Sequence, residues 1–316
     1  MTDSLTGRVA APARPRAFAT SAAGRWFYRI PWKSIAIYTV AILFALYVLL
    51  PFAWVVLTSF MYEVDAIATP PKWIPERLTL DNYLAFFNPE LLRNNRLAGG
   101  GAAQMAPRAL LNSTIVAVSV ALLNIVVGTL AAYPIARLRF VGSTALIVFY
   151  LGSRMVPPIA IMIALYALVK VLGLLDTLAA LILAYATFTV PYSVWILQSY
   201  FRTIPRDLED AARVDRCNWL NVMVRVFLPV ASPGLVACAM FSFLASWGEF
   251  LYALVLTTTV NSKTMPMIVA QFTTDVDTSP VVLSAGGVLA VLPPLVLALI
   301  FQRLIVSGIA AGSVKG

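Results

Sequence analysis

Histidine is absent from this 316-residue sequence, and Cys217 and Cys238 are its only thiols. His-based catalysis, zinc clusters and disulfide frameworks therefore have almost nothing to work with. Charge is scarce too: 12% of residues are Asp, Glu, Lys or Arg, against about a quarter in soluble domains. No phosphate-cradling loop of the form G-x-x-x-x-G-K-[ST] occurs, so no nucleotide is held by that route and any ATP chemistry belongs to another chain. No short-period repeat is present, and no basic stripe interleaved with stacking aromatics marks a nucleic-acid surface, despite a formal net charge of +9.

What the sequence has instead is apolar length: 60% of residues are hydrophobic and the mean hydropathy is +0.86. Crossing about 30 Å of hydrocarbon takes about 20 helical residues with every backbone group satisfied internally. Five runs meet that requirement: Ser34 to Phe60, Ala109 to Ala136, Thr177 to Phe201, Val226 to Gly248 and Val281 to Gln302. A sixth, Val141 to Val169, contains Arg154, Pro157 and Pro158 and is expected as one kinked helix. The first run is too long for the core of a cleaved signal peptide. The fold class is all-α: a membrane protein of six transmembrane helices, with residues 34–310 as one domain between tails at 1–33 and 311–316.

The basic residues give the orientation. Arg8, Arg14, Arg16, Arg25, Arg29 and Lys33 face a single acid, Asp3, before the first run, which places that end in the cytoplasm. Alternating crossings then put both termini and fifteen of the 23 basic residues inside, among them Arg137, Arg139, Arg202, Arg213 and Arg225. The positive charge is thus topological and implies contact with anionic lipid. The stretch from Met61 to Arg108 lies outside, with Gly99, Gly100 and Gly101 as its loosest point.

One inward loop, residues 203–229, is too long and too helix-forming for a plain connection. Pro205 suits a first turn, Asp207, Glu209 and Asp210 favour the helix dipole there, and the helix is expected to continue through Ala211, Ala212 and Val214. Asp210-Ala211-Ala212-x-x-Asp215, followed by Phe227-Leu228-Pro229, resembles the coupling loop of importer permeases in the ATP-binding cassette superfamily, with the pattern E-A-A-x-x-D-G and then L-P. Further stretches are similar to the carbohydrate-uptake branch of that family, the permeases like the second maltose permease subunit. They include Pro51 with Trp54, Leu78 to Tyr83, Asn112-Ser113, Ala131 to Tyr133 with Arg137 and Phe140, Leu172 to Leu174 with Asp176-Thr177, and the closing Gly308 to Gly316.

The resemblance implies a chain that is not itself an enzyme. It implies a second permease subunit, two copies of a P-loop ATPase that binds ATP and Mg, and an extracytoplasmic solute-binding protein. It assigns ATPase coupling to Leu208, Glu209, Asp210, Ala211, Ala212, Asp215, Arg216 and Pro229, and an ATPase-contacting tail to Ser313, Val314, Lys315 and Gly316. The solute is expected to be a sugar or polyol, with glycerol phosphate or another small solute as the alternative within the class and an ion-driven secondary transporter outside it. Three departures stand out: Asp210 replaces the leading glutamate, Cys217 an alanine, and Arg216 the glycine after the aspartate. If the bend needs a left-handed residue, Arg216 costs about 1 kcal/mol or more there; otherwise the bend is right-handed or the ATPase cleft differs.

An intramembrane carboxylate is a functional candidate by default, and Glu249 sits in Ser246-Trp247-Gly248-Glu249-Phe250. Glu249, Trp247, Phe250 and Arg154 are the candidate substrate pathway. The alternative is structural: Glu249 holds the bundle by an ion pair to Arg154 or by an interhelical hydrogen bond, and the aromatics are interface anchors.

Overall fold

A computed structural model describes residues 32–88, 100–138, 140–272 and 279–313, and among them every regular element is helical. The chain divides into two compact units, Met1–Pro51 and Phe52–Gly316. The described part of the first is the beginning of α1 (Trp32–Ser59). None of its residues from 32 to 51 is buried.

In the second unit α2 (Glu63–Ala66) and α3 (Asp81–Leu84) are single turns of the loop that follows α1. Asn82 ties that loop to the end of α1, its Nδ2 donating to the carbonyls of Ser59 and Met61 at 2.9 and 2.8 Å. Then come α4 (Gly100–Arg137), α5 (Ser143–Ser153), α6 (Pro158–Val171) and α7 (Leu178–Phe201). The segment after α7 carries α8 (Asp207–Val214), α9 (Trp219–Val222), a π-helical turn at Met223–Phe227 and α10 (Leu228–Val230). The chain closes with α11 (Ser232–Trp247), α12 (Leu251–Leu256), α13 (Met265–Phe272) and α14 (Pro280–Ser313).

Among the described residues four helices are long and apolar enough to cross a membrane, and the number rises to six if each of two bent pairs is one span. Those pairs correct two expectations. The third run is two helices, α5 and α6, meeting at 93°, because Pro157 and Pro158 deny the helix two consecutive N–H donors and disfavour helical backbone before them. The fifth run bends by 80° between Val230 and Ser232, where Pro229 and Pro233 flank the break, and its helical stretch starts earlier, at Trp219. The second helix begins at Gly100 rather than Ala109, since Arg108 ends the apolar run without ending the helix. The tail 1–31, Arg139, Gly99 and Val314 to Gly316 lie outside the described residues.

Helices α4, α7 and α11 form the centre of the unit. Small residues allow their close approach: a Cβ on Gly128 of α4 would lie 3.1 Å from Leu197 Cδ1 of α7, and one on Gly234 of α11 would overlap the Tyr200 ring. At the same level Asn124 Nδ2 donates to Ser242 Oγ at 2.8 Å, and Ser242 Oγ lies 3.2 Å from Ser193 Oγ, all three buried. Interhelical hydrogen bonds of this kind contribute about 0.6 kcal/mol each in a bilayer; this one also fixes the rotation of three helices about their axes.

Candidate functional site

The loop after α7 is built on a buried carboxylate. Helix α8 starts two residues past Pro205, with Asp207, Glu209 and Asp210 in its first turn as the dipole favours. Glu209 is 6% exposed and points inward. It accepts from Tyr133 Oη at 3.2 Å and Arg213 Nη2 at 2.6 Å, and Arg137 Nε stands 3.9 Å away. Arg137, the last residue of α4, also donates to the Ile204 carbonyl at 2.6 Å and lays its guanidinium 4.6 Å from the Phe227 ring centroid. One acid therefore pins α8 to the end of α4 and, through Phe227, to the π-helical turn. Glu209 is consumed by this clasp and is not available to an outside partner.

The opposite face is open. Leu208, Asp210, Ala211, Asp215 and Arg216 are exposed, Val214 is 83% exposed and Trp219 58%, whereas Ala212 is packed in the core. Pro229 is exposed on α10. The free face thus combines small and apolar side chains with two carboxylates, Asp210 on the helix and Asp215 at its C-cap, a composition suited to docking rather than to chemistry.

Arg216 has φ +59°, so the bend is left-handed. Its N–H donates to the Arg213 carbonyl at 3.0 Å and the Cys217 N–H to the Ala212 carbonyl at 3.1 Å, which is the paired capping pattern that normally ends on glycine. The right-handed alternative is thereby ruled out: arginine occupies the glycine conformation, at a cost of about 1 kcal/mol. Cys217 at the next position packs beside Ala212, supplying the apolar contact that accompanies this cap. Helix α6 ends in the same pattern with a true glycine, Gly173 at φ +67°.

The candidate pathway residues separate into two places. Arg154 and Glu249 line one cavity of about 360 Å³ together with Thr187, Phe188 and Tyr252. Trp247 and Phe250 line another, and Trp247 is committed to packing: its Nε1 donates to the Ala290 carbonyl at 2.9 Å and its ring stacks on Phe243. Arg154 and Glu249 do not pair. Arg154 Nη1 donates to the Phe188 carbonyl at 2.5 Å. Glu249 accepts from the Tyr252 and Ala253 N–H groups at 3.0 to 3.3 Å, so it caps the start of α12.

At the other end of α7 stands an acid whose role the sequence alone does not show. Asp176 accepts from the Thr258 and Thr259 N–H groups at 2.8 and 2.9 Å, from Thr259 Oγ1 at 2.7 Å and from Ser262 Oγ. Burial pushes its pKa up, but these bonds outweigh that and hold the carboxyl well below the usual carboxylate range. Asn112 Nδ2 donates to the carbonyls of Val260 and Lys263, and the Met265 N–H to Ser113 Oγ, so the same turn is also tied to α4.

Comparisons with known proteins give the family and the fold. The sequence model of the family described as binding-protein-dependent transport system inner membrane component matches residues 124–311. The chain is 33% identical to the trehalose/maltose transport system permease protein MalG of Thermococcus litoralis, over 90% of this chain and 98% of that protein. It is 35% identical to the trehalose transport system permease protein SugB of Mycobacterium tuberculosis, over 85% and 93%. A solved chain of a bacterial ABC transporter involved in import of the acidic polysaccharide alginate superposes with a TM-score of 0.66 at 19% identity, covering 86% of this chain and 95% of that one, which supports the fold.

Proposed function

The chain belongs to the binding-protein-dependent transport system inner membrane components, and on that premise we propose that it is the membrane-spanning subunit of an ATP-driven sugar importer, docked to its ATPase through the open face of α8. One observation carries the reading. Glu209 fixes α8 from behind, so that Leu208, Asp210, Ala211 and Val214 are presented together on a helix that cannot roll. A lever must be rigid toward the membrane and bare toward its driver, and α8 meets both conditions.

In this reading two ATPase subunits bind ATP and Mg, close on each other, and push α8 and its counterpart on a second permease. The Arg137 clasp carries the displacement into α4, and so into the helices packed on it, opening the cavity alternately to each side. A binding protein delivers the solute to the outer face. Both termini lie in the cytoplasm, as the basic residues require, and the tail from Ser313 to Gly316 reaches the ATPase pair. Trehalose and maltose appear in the names of the relatives, so a neutral saccharide is the favoured solute. Phosphate would call for more cation at mid-depth than Arg154 supplies.

The test is Asp210→Lys in the complete importer. The variant should insert and assemble its helices normally, because Asp210 is exposed, yet lose ATP hydrolysis stimulated by the loaded binding protein. Wild-type stimulation in that variant contradicts the docking role.

A further inference from the structure

We infer that the cavity shared by Arg154, Thr187, Phe188, Glu249 and Tyr252 is a subsite for a neutral, hydroxyl-rich solute within this subunit. The inference rests on the importer reading above and adds where, on this chain, the solute is touched.

Depth is the first reason. Arg154 caps α5 after eleven residues, about 16 Å along the span at 1.5 Å per residue. Phe188 falls near the middle of the 24-residue α7. Glu249 follows the sixteen residues of α11. Arg154 and Phe188 thus stand near the middle of runs long enough to cross about 30 Å of hydrocarbon, and the shared cavity brings Glu249, at the end of its run, beside them. Ionisable side chains at that depth face protein or a water-filled path, not lipid tails.

Backbone is the second. The cavity lies where two helical runs are interrupted, at residues 154–157 between α5 and α6 and at residues 248–250 between α11 and α12. Irregular backbone at membrane depth is tolerated where it lines a cavity, and in transporters such breaks frame the solute site.

The third reason sets the class of ligand. Both charges already hold backbone partners: Glu249 two N–H groups of α12, Arg154 the Phe188 carbonyl. The Arg154 guanidinium is further held over the Phe188 and Tyr192 rings, at 5.9 and 5.7 Å. Neither is left as a bare ion seeking a counter-ion. What remains are carboxylate lone pairs, unused guanidinium N–H groups and the Thr187 oxygen, whose proton goes to the Ala184 carbonyl at 2.6 Å. Beside them Phe188 and Tyr252 stack at 5.7 Å. Donors and acceptors in alternation against an aromatic wall match a polyol or a sugar ring, and a volume of about 360 Å³ is within the range of small-molecule sites.

The experiment measures uptake of labelled trehalose and maltose by the complete importer in proteoliposomes with its binding protein. Thr187→Val removes a hydroxyl at constant shape, and Glu249→Gln keeps an acceptor for the start of α12 while removing the charge. Each should raise the KM for uptake about tenfold, the effect of losing one buried hydrogen bond to solute. Half-saturation of ATP hydrolysis by the binding protein should stay at the wild-type value. Thr114→Val on the exposed side of α4, where the hydroxyl bonds only its own helix, should leave both unchanged. KM values within twofold of wild type for Thr187→Val and Glu249→Gln overturn the subsite alone. A wild-type importer that moves neither sugar defeats the sugar reading and the subsite with it.

Discussion

The two ends of α7 are fastened by opposite means. Past its C-terminal end a buried acid, Glu209, is held by Tyr133 and Arg213 beside the buried cation Arg137. At its N-terminal end Asp176 is held by neutral N–H and O–H donors alone. Charge against charge in a dry place is strong while complete and costly when broken, since either survivor is left buried and unpaired. A carboxylate ringed by neutral donors loosens by degrees. The first holds a helix as one piece, the second lets a turn yield gradually.

Removing Glu209 should therefore have the largest effect. Glu209→Ala leaves Arg137 buried without its acid, and the loss is expected to be about 3–5 kcal/mol. Helix α8 should detach, read as proteolytic cleavage between residues 203 and 217 in membranes while α4 and α7 stay protected. If the loop remains resistant, the Glu209 clasp is not what holds α8.

Asp176→Asn comes next. It keeps the shape and weakens four bonds, so the Thr258 and Thr259 amides should exchange about tenfold faster, with little change elsewhere. The pH dependence has a definite sign. A folded-state pKa below the unfolded value of about 3.9 means that the contribution is complete above that value and fades only as pH falls through the lower one. Protection factors of those amides should thus be flat from about pH 8 to about pH 5. A decline within that window contradicts the geometry around Asp176.

The smallest effects sharpen the comparison most, because the same helix cap occurs near both ends with different residues. Gly173→Ala should destabilise by about 1 kcal/mol, for strain alone, as nothing lies within 4 Å of the added Cβ. Arg216→Gly should do the reverse, raising the apparent melting temperature in detergent by a few degrees. Opposite signs at the two positions confirm that arginine pays for a conformation glycine adopts freely. A fall in melting temperature for Arg216→Gly indicates contacts of its side chain that outweigh the strain.

Much of this was legible in the sequence. Apolar run length marked the four helices long enough to cross a membrane among the described residues, and Pro205 with three following acids marked the short helix α8. The facing of that helix was not legible: Glu209 and Ala212 share one side and Leu208, Ala211 and Asp215 another, but which side is buried depends on Arg137, some seventy residues earlier. Asp176 is similarly silent, because its partners are 82 to 86 residues away. Proline marked the break after Arg154, yet a proline pair reads equally as a kink or a corner, and only packing against α12 decides. Nor does the sequence show that Trp247 and Glu249, neighbours at a helix end, line different cavities.

The account turns on the bare face of α8, and one residue on it tests that face with least collateral damage. Ala211 is exposed while Ala212 beside it is buried, so Ala211→Trp adds bulk outside the core. Isolated from membranes through a tag on this chain, the variant should arrive with its second permease but without the ATPase that accompanies wild type. Full recovery of the ATPase with Ala211→Trp would contradict docking through α8.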